Sequence, residues 1–129
     1  MRFVGCLILV CMALLETGCR SKRGFDGPTV DAFTGRLTHN GKPVNFSEGE
    51  GISLKLVHES GQSFGIPIQA DGTFKIGWMP IGKYGAMLER PNPGGKGKSV
   101  YTVPGGLTIE EGKTEYSIEL GKDWRGSKL

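Results

Sequence analysis

Few side chains in this chain have a type and spacing that could do chemistry. The three cysteines, Cys6, Cys11 and Cys19, all fall within the first nineteen residues. The rest of the chain can therefore form no disulfide, bind no metal through thiolate and run no thiol chemistry. His39 and His58 stand in or beside turns without a histidine or carboxylate at ligand spacing, which predicts surface histidines and no metal site. Gly97-Lys98-Ser99 ends as a phosphate-cradling loop does, but position 92, where that loop needs glycine, is Asn92, so a loop with solvated lysines is expected. Glu48 and Glu50, two places apart on a Gly-rich stretch, read as a solvated turn rather than a hydrolytic carboxylate pair. Asp71 lacks the acidic neighbours of a calcium loop and is needed for its turn. That leaves Trp124 and Arg125 as the candidate ligand-binding pair. Trp124 lies beyond the predicted strands as the exposed aromatic on which a sugar could stack, whereas Trp78 continues an inward row and belongs to the core or its rim. No catalytic set and no cofactor are expected.

Cys19 retains one chemical role, and its surroundings say which. Arg2 is followed by an apolar run from Phe3 to Leu15, thirteen residues closed by Glu16-Thr17-Gly18-Cys19. A membrane-spanning helix needs about 20 apolar residues and the apolar region of an export signal about 7 to 15, so the run reads as a cleavable signal over residues 1–18. It resembles the lipobox of bacterial lipoproteins, in which a cysteine after a small residue is diacylated on sulfur and becomes the first mature residue. The resemblance implies lipidation at Cys19 and a membrane anchor. Glu16 stands where such proteins carry an apolar residue, and Thr17-Gly18-Cys19 also fits the small-x-small site of ordinary signal peptidase, whose product would be soluble and secreted.

Cleavage there would leave about 110 residues, enough for one small domain with one core. The formal charge of +3 falls short of the clustered basic stripe that nucleic-acid binding requires. Arg20, Lys22 and Arg23 follow the cysteine, and Gly24, Gly27 and Pro28 punctuate a stretch without apolar period, so residues 19–31 are expected to form a flexible tether.

The body alternates with a period of two: Ile52, Leu54 and Leu56; Phe74, Ile76 and Trp78; Tyr84, Ala86 and Leu88; Leu107 and Ile109; Tyr116, Ile118 and Leu120. Each run predicts a half-buried strand. Asn40-Gly41, Ser60-Gly61 and Asp71-Gly72 fall between runs as hairpin turns. Strands with one apolar face each need a second layer over it, which predicts an all-β sandwich over residues 32–121 and a polar tail over 122–129.

Gly35-Arg36-Leu37, Asn40-Gly41-Lys42-Pro43-Val44, Ala70-Asp71-Gly72-Thr73-Phe74 and Ile81-Gly82-Lys83-Tyr84, in that order, resemble the carboxypeptidase regulatory-like domain. The resemblance covers about residues 33 to 120. It implies a prealbumin-like (transthyretin-like), seven-stranded Greek-key β-sandwich of an accessory, non-catalytic kind, as in short lipoproteins of the bacterial envelope. Trp124-Arg125-Gly126-Ser127 is also similar to the terminal Tyr-Arg-Gly-Ser of hydroxyisourate hydrolase, which shares the transthyretin fold. That family needs a histidine in its first strand and another shortly before the terminus, and here no histidine follows His58. The sequence therefore predicts a lipid-anchored, exported module for binding or structural assembly in the cell envelope, partnered by the membrane through Cys19 and by an envelope protein or carbohydrate. The alternatives are a soluble secreted binding module and a transthyretin-fold hydrolase.

Overall fold

A computed structural model describes residues 27–126; the expected signal over 1–18, the expected lipidation site Cys19, residues 20–26 of the expected tether and residues 127–129 lie outside it. The described chain is all-β, in eleven strand segments: β1 (Thr29–Val30), β2 (Phe33–His39), β3 (Lys42–Pro43), β4 (Ser53–His58), β5 (Ser63–Pro67), β6 (Thr73–Ile76), β7 (Met79–Pro80), β8 (Gly82–Pro91), β9 (Lys98–Thr102), β10 (Leu107–Ile109) and β11 (Glu115–Glu119). One sheet runs β5-β4-β8, with β9 and β10 end to end along the far side of β8. The other places β11 beside β2, and β6 and β3 end to end along the opposite side of β2. Alternation sets which face each strand buries: Leu54 and Leu56 of β4 and Tyr84, Ala86 and Leu88 of β8 meet Phe33 and Leu37 of β2 and Tyr116 and Ile118 of β11 in a single core cluster. Each leucine, isoleucine or phenylalanine among them contributes about 1.5–3 kcal/mol by leaving water.

Two glycines admit neighbouring groups of their own sheet that a side chain would displace. Gly35 and Phe74 are direct partners across β2 and β6. The Phe74 ring lies over Gly35, so that an added Cβ would sit 2.6 Å from its Cζ and run into the Tyr116 carbonyl oxygen. Gly82, at φ +143°, leaves room for the His58 ring, whose Nε2 a Cβ would meet at 2.5 Å. The next inward residue, Tyr84, turns its hydroxyl back to donate to the Pro80 carbonyl at 2.6 Å. Burial, with the charge of Glu59 adding to it, pushes that phenol above its ordinary value. Where the chain crosses from β10 to β11, the Tyr116 hydroxyl accepts from the Glu110 N–H at 3.0 Å and donates to the Lys113 carbonyl at 3.1 Å. One side chain thus pins both ends of the turn.

Three expectations change. Residues 29 and 30, expected in the tether, belong to the folded domain, because Thr29–Val30 pairs with Met79–Pro80 and Val30 is buried. Asn40-Gly41 closes a hairpin, both residues at positive φ, as does Ser60-Gly61 between β4 and β5. Asp71-Gly72 makes its tight turn but carries the chain from one sheet to the other, since β5 and β6 belong to different layers. The strand of Phe74 stops at Ile76, and the chain bends at Gly77 so that Met79, rather than Trp78, is fully buried.

Candidate functional site

The polar tail is the largest correction. Trp124 is 6% exposed and joins the core, its ring edge-on to Tyr101 at 5.0 Å and to Phe46 at 6.2 Å. The Trp124 backbone N–H donates to the Gly121 carbonyl at 3.0 Å. The Tyr101 hydroxyl donates to Asp123 Oδ1 at 2.8 Å and accepts from the Gly121 N–H at 2.9 Å, so residues 121–124 are strapped to β9. Burial, then the bond to Asp123, raises the Tyr101 phenol above its ordinary value. Arg125 is exposed beside a tryptophan that is not; the two do not form a stacking platform. Trp78 is half-buried against Phe64, edge-on at 5.8 Å, which places it at the rim.

His58 is a second correction: at 6% exposed it is, among the described residues, the polar side chain buried in the core. It shares the inward parity of Leu54 and Leu56 on β4, a signal that was present in the sequence. Its Nδ1 accepts from the Ser60 N–H at 3.1 Å, so Nε2 carries the proton and donates to the Ile81 carbonyl at 3.0 Å. The ring lies edge-on to Tyr84 at 5.0 Å. These neighbours are not those of Trp124, and the structure does not bring His58 together with the Trp124-Arg125 segment. His39 ends β2, partly buried.

The remaining candidates are tied into local structure. Glu50 accepts from the Ser47 N–H at 2.9 Å and pairs with Arg90 at 3.6 Å; Glu48 is exposed. Lys98, expected to be solvated in a loop, opens β9 and pairs with Glu89 at 2.9 Å, while Ser99 donates to Asn92 Oδ1 at 2.8 Å. Asp71 accepts from the Thr73 hydroxyl at 2.6 Å and from its N–H at 3.1 Å. Glu119 accepts from the Thr38 hydroxyl at 2.6 Å and from the N–H groups of Asn40 and Gly41, capping the β2–β3 turn from a different strand.

Those bonds hold two carboxyls below their ordinary values, Asp71 chiefly through the Thr73 hydroxyl and Glu119 chiefly through the Thr38 hydroxyl. The folded chain takes up these protons less readily than the unfolded chain. The stability that both groups lend is complete above their ordinary values of 3.8 and 4.5 and drains as pH falls through the lower folded values. Thermal melts between about pH 5 and 2 should show the midpoint falling with acid. The double variant Asp71→Asn, Glu119→Gln should have a lower midpoint at neutral pH and a shallower acid limb; an unchanged limb would contradict the assignment.

The broadest concavity among those described is a shallow groove of about 700 Å³ on the outer face of the β11-β2-β6 layer. Its lining includes Thr34, Arg36, Thr73, Lys113, Glu115 and Ser117. Strand register sets them side by side: Arg36 is opposite Ser117 on one side and Thr73 on the other, and Thr34 is opposite Glu115 and Lys75. Side chains directly opposite on one sheet face sit about 5 Å apart at Cβ. Arg36 and Thr73 fall in the family-resembling segments, but no motif marks these residues as a site. Their only signal was the outward parity of Thr34 and Arg36 beside the buried Phe33 and Leu37. A scan of the sequence against models of known protein families and a search among curated proteins found no match.

Proposed function

We propose that this protein is a lipid-anchored, exported, non-catalytic β-sandwich module that binds or organises material in the bacterial cell envelope. The observation that carries the reading is the order of parts in the chain: a basic residue, a thirteen-residue apolar run, Cys19 after Thr17-Gly18, and then a body without cysteine. One acyl chain gives only marginal attachment and two give a stable anchor, so diacylation would hold the domain at a membrane surface. A cysteine-free body must be held by its own core in an oxidising compartment. The core cluster shared by both sheets, closed by Trp124, is consistent with that.

A carboxypeptidase regulatory-like, prealbumin-like assignment fits the same picture. If β3 with β6, and β9 with β10, are each taken as one interrupted strand, the two main layers hold three and four strand positions. The glycines of the resembling segments also do definite work, Gly35 beneath Phe74 and Gly82 beneath His58. The groove on the outer sheet face gives the binding arm of the proposal a place to act.

Metabolic labelling with an alkyne fatty acid tests the anchor. The wild type should be labelled and recovered with membranes, and Cys19→Ala should lose the label. Equal labelling of the two would show that Cys19 is not the anchor, and an unlabelled wild type in the soluble exported fraction would favour the secreted form.

A further inference from the structure

Strand β5 ends its sheet, and among the described residues it pairs with β4 alone. The ladder between the two fixes which backbone groups are left over. The His58 N–H donates to the Gln62 carbonyl and the Ile68 N–H to the Ile52 carbonyl. Hydrogen-bonded pairs recur at every second position of an antiparallel ladder, so Phe64 and Ile66 turn their N–H and C=O groups toward β4. Ser63, Gly65 and Pro67 turn theirs away from it, and all three residues are exposed.

A row of unpaired donors and acceptors is a template for another strand, and proteins guard such rows with charge. The other bordering strands carry some: Glu115 and Glu119 on β11, Lys98 on β9, Lys75 on β6 and Lys42 on β3, while β10 is only three residues long. No residue of β5 is charged, nor is any from Ser60 to Ala70. Pro67 withholds a donor, but at one end only. Gly65, at the middle of the strand, is not at positive φ, and an added Cβ would meet nothing within 4 Å. Nothing inside the fold requires glycine there, whereas the close approach of a second backbone makes use of it.

The strand is also its own complement. Laid antiparallel against a second β5 about a twofold axis at Gly65, the two Gly65 residues exchange N–H···O=C bonds, and each Ser63 N–H meets the other copy's Pro67 carbonyl. Phe64 then lies opposite Ile66 of the other copy on the core side, covering a ring that the single chain leaves half-buried against Trp78. The same operation on β11 about Ser117 would set Glu115 against Glu119, like charges face to face. We propose that β5 is a self-association edge, through which two copies of this chain join their sheets antiparallel and centred on Gly65. The proposal goes beyond the envelope reading above and does not depend on the anchor. An edge of five residues buries less than the roughly 1,200–2,000 Å² of a stable interface, so the dimer forms at high concentration.

The test is sedimentation equilibrium of the full chain in density-matched detergent, from about 1 µM to about 1 mM, with amide hydrogen exchange read residue by residue over the same range. The wild type should pass from monomer to dimer. The Ser63 and Gly65 N–H groups should become protected as concentration rises, while those of Phe64 and Ile66, bonded to β4, are protected throughout. Gly65→Lys should weaken association by about tenfold or more, since like charges would meet on the axis. Its melting midpoint at low concentration should match the wild type, because the added side chain has open space, and this separates lost pairing from lost folding. Val100→Lys, at an exposed position of β9 on the far side of the sheet, should associate as the wild type does. A monomer at about 1 mM, equal association of Gly65→Lys, equal weakening by Val100→Lys, or protection that rises without Ser63 and Gly65 would each overturn the proposal.

Discussion

Replacing Trp124 by alanine is expected to lower the unfolding free energy by about 3–5 kcal/mol, the range for removing a large buried aromatic. The side chain is buried to 6% exposure between Tyr101 and Phe46. Those two rings come from β9 and from the segment after β3, and neither can move in to refill the space without leaving its own strand or loop. The loss should also loosen the strap, because Asp123 and Gly121 are held to Tyr101 by bonds that assume Trp124 is in place. Urea titration followed by tyrosine and Trp78 fluorescence reads the effect. The outcome separates two roles for one residue: a surface plank for a ligand would cost less than about 0.5 kcal/mol of stability when removed, and such a result would return Trp124 to the list of binding residues. Arg125→Ala, exposed and one place on, should stay within that smaller range.

A second large effect is expected from Gly35→Ala. A methyl group there has nowhere to go, since the Tyr116 carbonyl belongs to the paired β11 backbone and the Phe74 ring is itself in the core, 2% exposed. Relief requires displacing β11 or expelling Phe74, and with it the ring contacts of Phe33 to Phe74 at 5.4 Å and to Tyr116 at 5.1 Å. Overpacking of this kind costs about 1–3 kcal/mol, occasionally more. Gly65→Ala is the control, because an added Cβ on β5 meets nothing within 4 Å, and its effect should stay below about 0.5 kcal/mol. Equal effects of the two substitutions on the urea midpoint would mean that the close approach at Gly35 is not what requires glycine there.

The residues that could be read from sequence are those whose placement depends on near neighbours. Leu54 and Leu56 alternate with polar residues, and the strand follows from that period alone. Asn40-Gly41 needs positive φ at both positions and has the two residue types that supply it. Legibility ends where the deciding contact is distant. Thr29–Val30 is too short to show a period, and its pairing is fixed by Met79–Pro80 some fifty residues on. Trp124 lies outside any alternating run, so nothing local reveals that Tyr101 and Phe46 wait for it. The break at Gly77 shifts parity by one, which places Met79 inside where the period had pointed to Trp78. His58 shares the inward parity of Leu54 and Leu56, but its place beside the Ser60-Gly61 turn points to the surface. The groove illustrates the same limit, because Arg36, Thr73 and Ser117 become neighbours only through the register of three strands.

The parallel pairing of β11 with β2 bears on how the domain is built in time. Thr38 and Glu119, bonded in the finished sheet, are 81 residues apart in the chain, and the connection between them includes the whole of the other layer. Non-local pairing must meet its loop-closure entropy before any contact repays it, which makes such topologies slow to fold. Until β11 docks, one edge of β2 stays bare, its N–H and C=O groups open to any other extended strand, and the Asn40-Gly41 turn lacks the carboxylate that caps it. The folding chain therefore passes through a period in which its central strand has one bare edge, and that period ends only when β11 arrives.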